Sequence, residues 1–175
     1  MKKVWVLDDD KSIRWVFEKA LSKANLPCLC FSNTNEAINQ FNHETPSVIL
    51  SDIRMPGESG IDFLTKVKEK FPHIPIIIMT AYSDLDTAVS AFQKGAFEYI
   101  AKPFDIDKVI EIIIQALEQT TKEKADPDAL DENLPDIIGQ AQSMQEVFRA
   151  IGRLSKSNAT VLLNGESGSG KELVA

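Results

Sequence analysis

The chain has 175 residues, 43% of them hydrophobic and 26% charged, with a net charge of −7. That balance suits a soluble globular protein with one full core and some excess chain, and it weighs against nucleic-acid binding by the chain as it stands. Met1-Lys2-Lys3 leads into too few apolar residues for a signal peptide or a membrane span, so a cytoplasmic protein without a membrane partner is expected.

Val4-Trp5-Val6-Leu7 reads as a first buried strand, and Asp8-Asp9-Asp10 as the loop after it. Ser12 can cap a helix whose apolar positions are Ile13, Val16, Phe17, Ala20, Leu21 and Ala24. Asn25-Leu26-Pro27 ends that helix. Residues 28–31 form strand two, and its Cys28 and Cys30 point to one face as core thiols of a reducing compartment. Residues 33–35 offer a cap for a helix carrying Ala37, Ile38 and Phe41, and Pro46 precedes strand three at 48–51. A loop over 57–60 leads to a helix marked by Ile61, Phe63, Leu64, Val67 and Phe71. Strand four spans 76–79, and Ser83 with Asp86 resembles a capping box for the following helix. Lys94-Gly95 ends that helix, strand five covers 97–100, and the fifth helix covers 106–117.

Five alternating βα units with near-continuous apolar strands predict a flavodoxin-like, doubly wound parallel sheet in the order 2-1-3-4-5. The switch point then lies between strands one and three, where such sheets bind ligands. It brings Asp8 and Asp9 beside Asp52, at the end of Val48-Ile49-Leu50-Ser51-Asp52. Carboxylates that close repel one another, and a hard cation relieves the repulsion. The pocket therefore reads as Mg²⁺-dependent, with Asp52 as phosphoryl acceptor. Thr80 ends strand four and Lys102 follows strand five, so a hydroxyl and an ammonium stand ready for phosphoryl oxygens on the same edge.

Leu7-Asp8-Asp9, Ser51-Asp52-Ile53-Arg54-Met55-Pro56-Gly57, Met79-Thr80-Ala81 and Lys102-Pro103-Phe104 together resemble the response-regulator receiver domain, over residues 1–120. The resemblance implies phosphorylation of Asp52 by a sensor histidine kinase. It implies Mg²⁺ held by Asp9, Asp52 and the backbone carbonyl of Arg54, with Asp8 nearby or acting through water. It suggests a cis Lys102-Pro103 bond and a switch pair of Thr80 and Tyr99, in which the hydroxyl moves toward the phosphate and the aromatic turns inward. Asp10 extends the usual acidic pair. The fifth helix also carries Ile112, Ile114 and Ala116 beyond its inner stripe, an apolar arc of roughly 200° that calls for a cover. A second copy, meeting it through the face of helix four, strand five and helix five, or the segment that follows are the candidates.

Residues 121–135 lose apolar periodicity and read as an acidic linker. From Ile137 a helical pattern resumes, and residues 160–163 read as a sixth strand. Gly165-Glu166-Ser167-Gly168-Ser169-Gly170-Lys171-Glu172 has P-loop spacing, with glutamate where the general pattern has Ser or Thr. With Ile138-Gly139-Gln140 and Met144 it resembles the start of the AAA+ domain of sigma-54-dependent activators, where that glutamate is usual. The whole chain is then similar to nitrogen-regulation response regulators. The longer protein would bind ATP and work with RNA polymerase carrying sigma-54 and with enhancer DNA. Residues 136–175 form an incomplete ATPase domain, expected to pack loosely or lean on the receiver and not to hydrolyse ATP, so the chain is expected not to be an enzyme.

Three other readings compete. An aspartyl-nucleophile phosphatase usually wants a second acid just after the nucleophile, where this chain has Ile53 and Arg54. A flavin binder would meet repulsion between its phosphate and the acids. An interaction module independent of phosphorylation would have no need of the set Asp52, Thr80 and Lys102.

Overall fold

The computed structural model describes residues 3–81 and 85–122, and residues 150, 153, 154, 160, 162 and 164 singly. The elements run β1 (Val4–Leu7), α1 (Lys11–Lys23), β2 (Cys28–Phe31), α2 (Thr34–Gln40), β3 (Val48–Asp52), α3 (Gly60–Lys70), β4 (Ile76–Thr80), α4 (Leu85–Gln93), β5 (Glu98–Ala101) and α5 (Ile106–Lys122). All strand pairs are parallel, in the order β2-β1-β3-β4-β5. The expected fold is present.

Period-two alternation sorts the strands' side chains onto two faces. Trp5, Leu7, Ile49, Ile76 and Ile78 enter one core with Phe63, Leu64, Ala88 and Phe92 of α3 and α4. Val4, Val6, Leu50, Ile77 and Met79 enter the other with Phe17 and Leu21 of α1 and Val109 and Ile113 of α5. Both faces are covered, and this is why the strands carry so few polar residues. Trp5 is fully buried and meets Phe31 and Phe41 edge-on, at centroid distances of 5.0 and 4.7 Å.

Register carries the strand ends to one edge. Leu7 lies opposite Ser51, Asp52 opposite Met79, and Thr80 opposite Ala101. Strands β3 and β4 each run one residue further than the apolar pattern shows, because the ladder continues through Asp52 and Thr80. Strand β5 begins one residue later than expected, at Glu98.

The cap of α1 is a correction. Asp10, rather than Ser12, is the N-cap, and its carboxylate accepts the Ser12 N–H at 2.7 Å. A carboxylate is the stronger acceptor, and helix dipoles favour negative charge at this end. Asn33 caps α2 as expected, and Ser59 caps α3. Ser83 lies outside the described residues. Asn25 ends the α1 segment with a left-handed φ of 56°, a conformation asparagine tolerates.

The broad apolar arc of α5 is mostly used at home. Ala116 is buried and Ile112 packs against the α1–α5 core, which leaves Ile114 as the member turned to solvent. The helix sits against both the sheet and α1, and so it buries more than a single stripe. Cys28 and Cys30 are free thiols, half-buried against that core rather than fully inside it, since β2 is an edge strand.

Beyond α5, Ala150, Arg153 and Leu154 are helical, and the Arg153 guanidinium lies 2.5 Å from the Glu98 carboxylate of β5. Thr160 and Leu162 are not in a strand, and Leu162 is 89% exposed, against the expected sixth strand. Helix α5 continues to Lys122, past its expected end at 117 and into the first two residues of the expected linker, while residues 123–135 and the P-loop residues 165–172 fall outside the described residues.

Candidate functional site

The carboxyl edge of the sheet gathers the acids. Asp8 follows β1 and is fully buried, Asp52 closes β3 with 7% exposure, and Asp9 is exposed. Each offers a carboxylate oxygen, and the three oxygens lie within 4.8 Å of one another. An all-oxygen set of this size and charge fits a small hard divalent cation.

Lys102 is the local counter-charge. Its Nζ donates to Asp8 Oδ2 at 2.7 Å and to Asp52 Oδ2 at 2.8 Å. It reaches the site from the turn after β5, where the Lys102-Pro103 bond is cis, as expected. The Lys102 N–H donates to the Thr80 carbonyl at 2.6 Å, tying the two candidate phosphate contacts together by backbone. Burial pushes the Asp8 carboxyl above its usual range, although the Lys102 ammonium and the Asp10 N–H pull the other way. Burial alone would lower the Lys102 pKa. Hydrogen bonds to Asp52 and Asp8 outweigh it and hold the ammonium above the ordinary lysine value.

The loop after β3 is fixed by close backbone packing. The Arg54 N–H approaches Asp52 Oδ1 at 3.4 Å, and the Gly60 N–H donates to the Ile53 carbonyl at 2.8 Å. A Cβ on Gly60 would stand 2.0 Å from the Asp52 carbonyl oxygen, so only glycine fits there. Arg54 itself follows β3 on the ligand edge, where its carbonyl was expected to serve a metal.

Thr80 is 2% exposed at the end of β4, and Tyr99 is 1% exposed within the core of α3 and α4. The aromatic ring is therefore already inward. Asp10 accepts the Ser12 N–H as the α1 cap, which explains its presence without a metal role. Arg14 was not singled out from the sequence. Its Nη1 donates to the carbonyls of Asp8 and Asp9 at 2.6 and 3.0 Å, and the signal that could have found it is its place one helical turn into α1, five residues after Asp9.

Residues 4–114 match the response regulator receiver domain, most of the chain. The chain belongs to the response-regulator receiver family. Residues 137–175 match the sigma-54 interaction domain. The chain is 54% identical over 174 residues to the DNA-binding transcriptional regulator NtrC of Salmonella typhimurium, covering 98% of this chain and 37% of that protein. It is 38% identical over 175 residues to the NtrC of Azospirillum brasilense, covering 98% of this chain and 36% of that one. Among solved structures, the apo receiver domain of nitrogen regulatory protein C is 52% identical, with a TM-score of 0.63 over 67% of this chain and 95% of that one. The beryllofluoride-activated NtrC4 receiver domain dimer is 32% identical, with a TM-score of 0.66 over 69% and 99%. The chain is thus an NtrC-like response regulator sequence, a receiver domain followed by part of a sigma-54 interaction domain, and it spans a little over a third of the length of the curated relatives it matches.

One expectation falls with that result. The chain was expected not to be an enzyme, on the ground that the machinery after the P-loop is missing. Residues 137–175 match a domain whose curated relatives continue well beyond the part aligned here, so parts missing from this stretch say nothing against activity. Among the described residues, no helix is long and apolar enough to cross a membrane.

Proposed function

We propose that this receiver domain is a phosphorylation switch in which Asp52 accepts a phosphoryl group from a sensor histidine kinase. The observation that carries the reading is the bridging of Asp8 and Asp52 by one Lys102 ammonium beside a third carboxylate, Asp9. An Asp52 oxygen forms the new P–O bond while the P–N bond to the kinase histidine breaks, and the imidazole keeps the electron pair. Lys102 then turns its ammonium to a phosphoryl oxygen, and Thr80 donates its hydroxyl to another. Asp9, Asp52 and the Arg54 carbonyl would hold Mg²⁺, with Asp8 beside them or acting through water. When bound, that ion neutralises charge on the transferring oxygens.

The switch elements are Thr80 and Tyr99, biased by the charge on Asp52 and read out on the face of α4, β5 and α5. That face is the proposed surface for self-association. In the longer protein, cytoplasmic and acting in nitrogen regulation, residues 165–172 would bind ATP. Phosphorylation would control a sigma-54 RNA polymerase from enhancer DNA.

The test is intact-mass spectrometry after incubation with acetyl phosphate and Mg²⁺. A gain of about 80 Da, absent in Asp52→Asn and in EDTA, is expected. A gain that survives Asp52→Asn would overturn the assignment. No gain at all would favour the reading as an interaction module independent of phosphorylation.

A further inference from the structure

We infer that Arg14 is a positioning residue for the acidic pocket, fixing the Asp8-Asp9 backbone so that both carboxylates face a divalent cation. The inference rests on the functional reading above.

Three consecutive acids at a strand end repel each other and tend to splay. A cation placed among their carboxylates would relieve this but would also occupy the ligand atoms. Arg14 avoids that competition. One guanidinium nitrogen donates to the main-chain carbonyls of Asp8 and Asp9, at 2.6 and 3.0 Å. Positive charge is thereby brought to the loop through main-chain carbonyls, and Arg14 itself takes up no carboxylate oxygen.

The geometry does more than add charge. Pinning two successive carbonyls fixes two peptide planes, and with them the directions of the side chains between. Asp8 has further restraints, since its N–H pairs with Phe31 and its Oδ1 accepts the Asp10 N–H at 2.9 Å. Asp9 is exposed, and among the described residues its hydrogen-bond partner is Arg14, through its carbonyl. Asp9 is also the acid expected to bind the ion directly. The residue with least support of its own thus depends most on Arg14. Arginine suits this role because its planar, delocalised cation presents donors in a fixed direction. Outer groups that orient metal ligands typically change affinity 10- to 100-fold when removed.

The test uses the 175-residue chain and Mg²⁺ itself, titrated by calorimetry, with the melting temperature measured in EDTA as a separate readout. Arg14→Ala is expected to weaken Mg²⁺ binding about tenfold or more. Saturating Mg²⁺ should restore labelling by acetyl phosphate, as a loss of metal affinity requires. Arg14→Lys, which keeps the charge but not the fork, should fold like wild type and bind Mg²⁺ about threefold to tenfold more weakly. That variant decides the matter should Arg14→Ala fail to fold. Wild-type affinity in a folded variant would overturn this inference alone. So would a loss of affinity only in proportion to a lower melting temperature. Absence of Mg²⁺ binding by the wild-type chain would overturn the functional reading and this inference with it.

Discussion

The Lys102 ammonium lies 2.8 Å from Asp52 Oδ2, although the two residues are 50 positions apart in the chain. The same nitrogen holds the fully buried Asp8 at 2.7 Å. Removing it strands two carboxylates in a poorly solvated place. Lys102→Met is expected to lower stability by about 2–4 kcal/mol at neutral pH, somewhat below a fully buried pair because the lysine keeps some solvent contact. Asp8 would then protonate still more readily. A carboxyl whose folded pKa lies above its unfolded value binds protons preferentially in the folded state, so stability is regained as pH falls. Urea denaturation of both proteins at pH 7 and pH 5 should show the deficit shrinking at the lower pH. An equal deficit at both would mean that Asp8 is not the group left unpaired.

Gly60 and Gly57 separate two reasons for glycine in one loop. A Cβ on Gly60 meets the Asp52 carbonyl oxygen at 2.0 Å, and its nearest neighbours are all backbone. Gly57 has a φ of +91° with nothing within 4 Å of an added Cβ. Gly60→Ala must shift the backbone that carries the phosphoacceptor. It should cost roughly 1–3 kcal/mol and sharply reduce labelling by acetyl phosphate. Gly57→Ala should cost about 1–2 kcal/mol through backbone strain and leave labelling near normal. Equal loss of labelling in both would refute the close-packing argument.

Much of this site was legible because a parallel sheet converts sequence order into position. Once the strands are read as apolar runs in βα alternation, Asp8, Asp52, Thr80 and Lys102 must come to one edge. The pairing Leu7 to Ser51 and Asp52 to Met79 delivers them there. Less legible were the contacts that a side chain chooses among several partners. Ser12 and Asp10 could each have capped α1, and the carboxylate took the position. Arg14 could have been any surface helical arginine, since its place one turn into α1 permits bonds back to the Asp8 and Asp9 carbonyls without requiring them. The apolar excess on α5 looked like an interface because periodicity cannot tell burial against α1 from burial against a partner. Ile114, 41% exposed, is the part of that excess still turned outward.

The half-buried cysteines offer a pH test of the edge strand. Burial, followed by the neighbouring Cys28 and Glu18, pushes the Cys30 thiol up to about 12. Thiolate is the reactive form, so at pH 8 native Cys30 should alkylate at least about a hundredfold more slowly than in urea. Its folded pKa exceeds the unfolded value of 9.0, so its contribution to stability is complete below pH 9.0 and declines as pH rises further. Mass-resolved iodoacetamide labelling of the native and denatured chain reads the first effect. Native labelling as fast as denatured labelling would show that β2 does not shield Cys30.

Asp10 separates the acidic cluster into residues that serve the pocket and one that serves the helix. Its carboxylate accepts the Ser12 N–H at 2.7 Å, and that bond, more than any nearby charge, holds its pKa below the ordinary aspartate value. A depressed carboxyl contributes stability above its unfolded pKa and loses it as pH falls through the folded one. Asp10→Ala should therefore lower the melting temperature by about 4 °C at pH 7, as the loss of a helix cap does. The difference from wild type should shrink as pH falls from the unfolded value of 3.8 through the lower folded one, where the native carboxylate takes up its proton. Labelling of Asp52 by acetyl phosphate should persist, with Mg²⁺ affinity within about threefold of wild type, because Asp8 and Asp9 keep their carboxylates and Arg14 keeps their carbonyls. Asp10→Asn is the companion variant. It retains an oxygen acceptor for Ser12 and should recover most of the lost melting temperature. Failure of Asp10→Ala to take up phosphate at saturating Mg²⁺, in a protein still folded, would place Asp10 in the pocket after all.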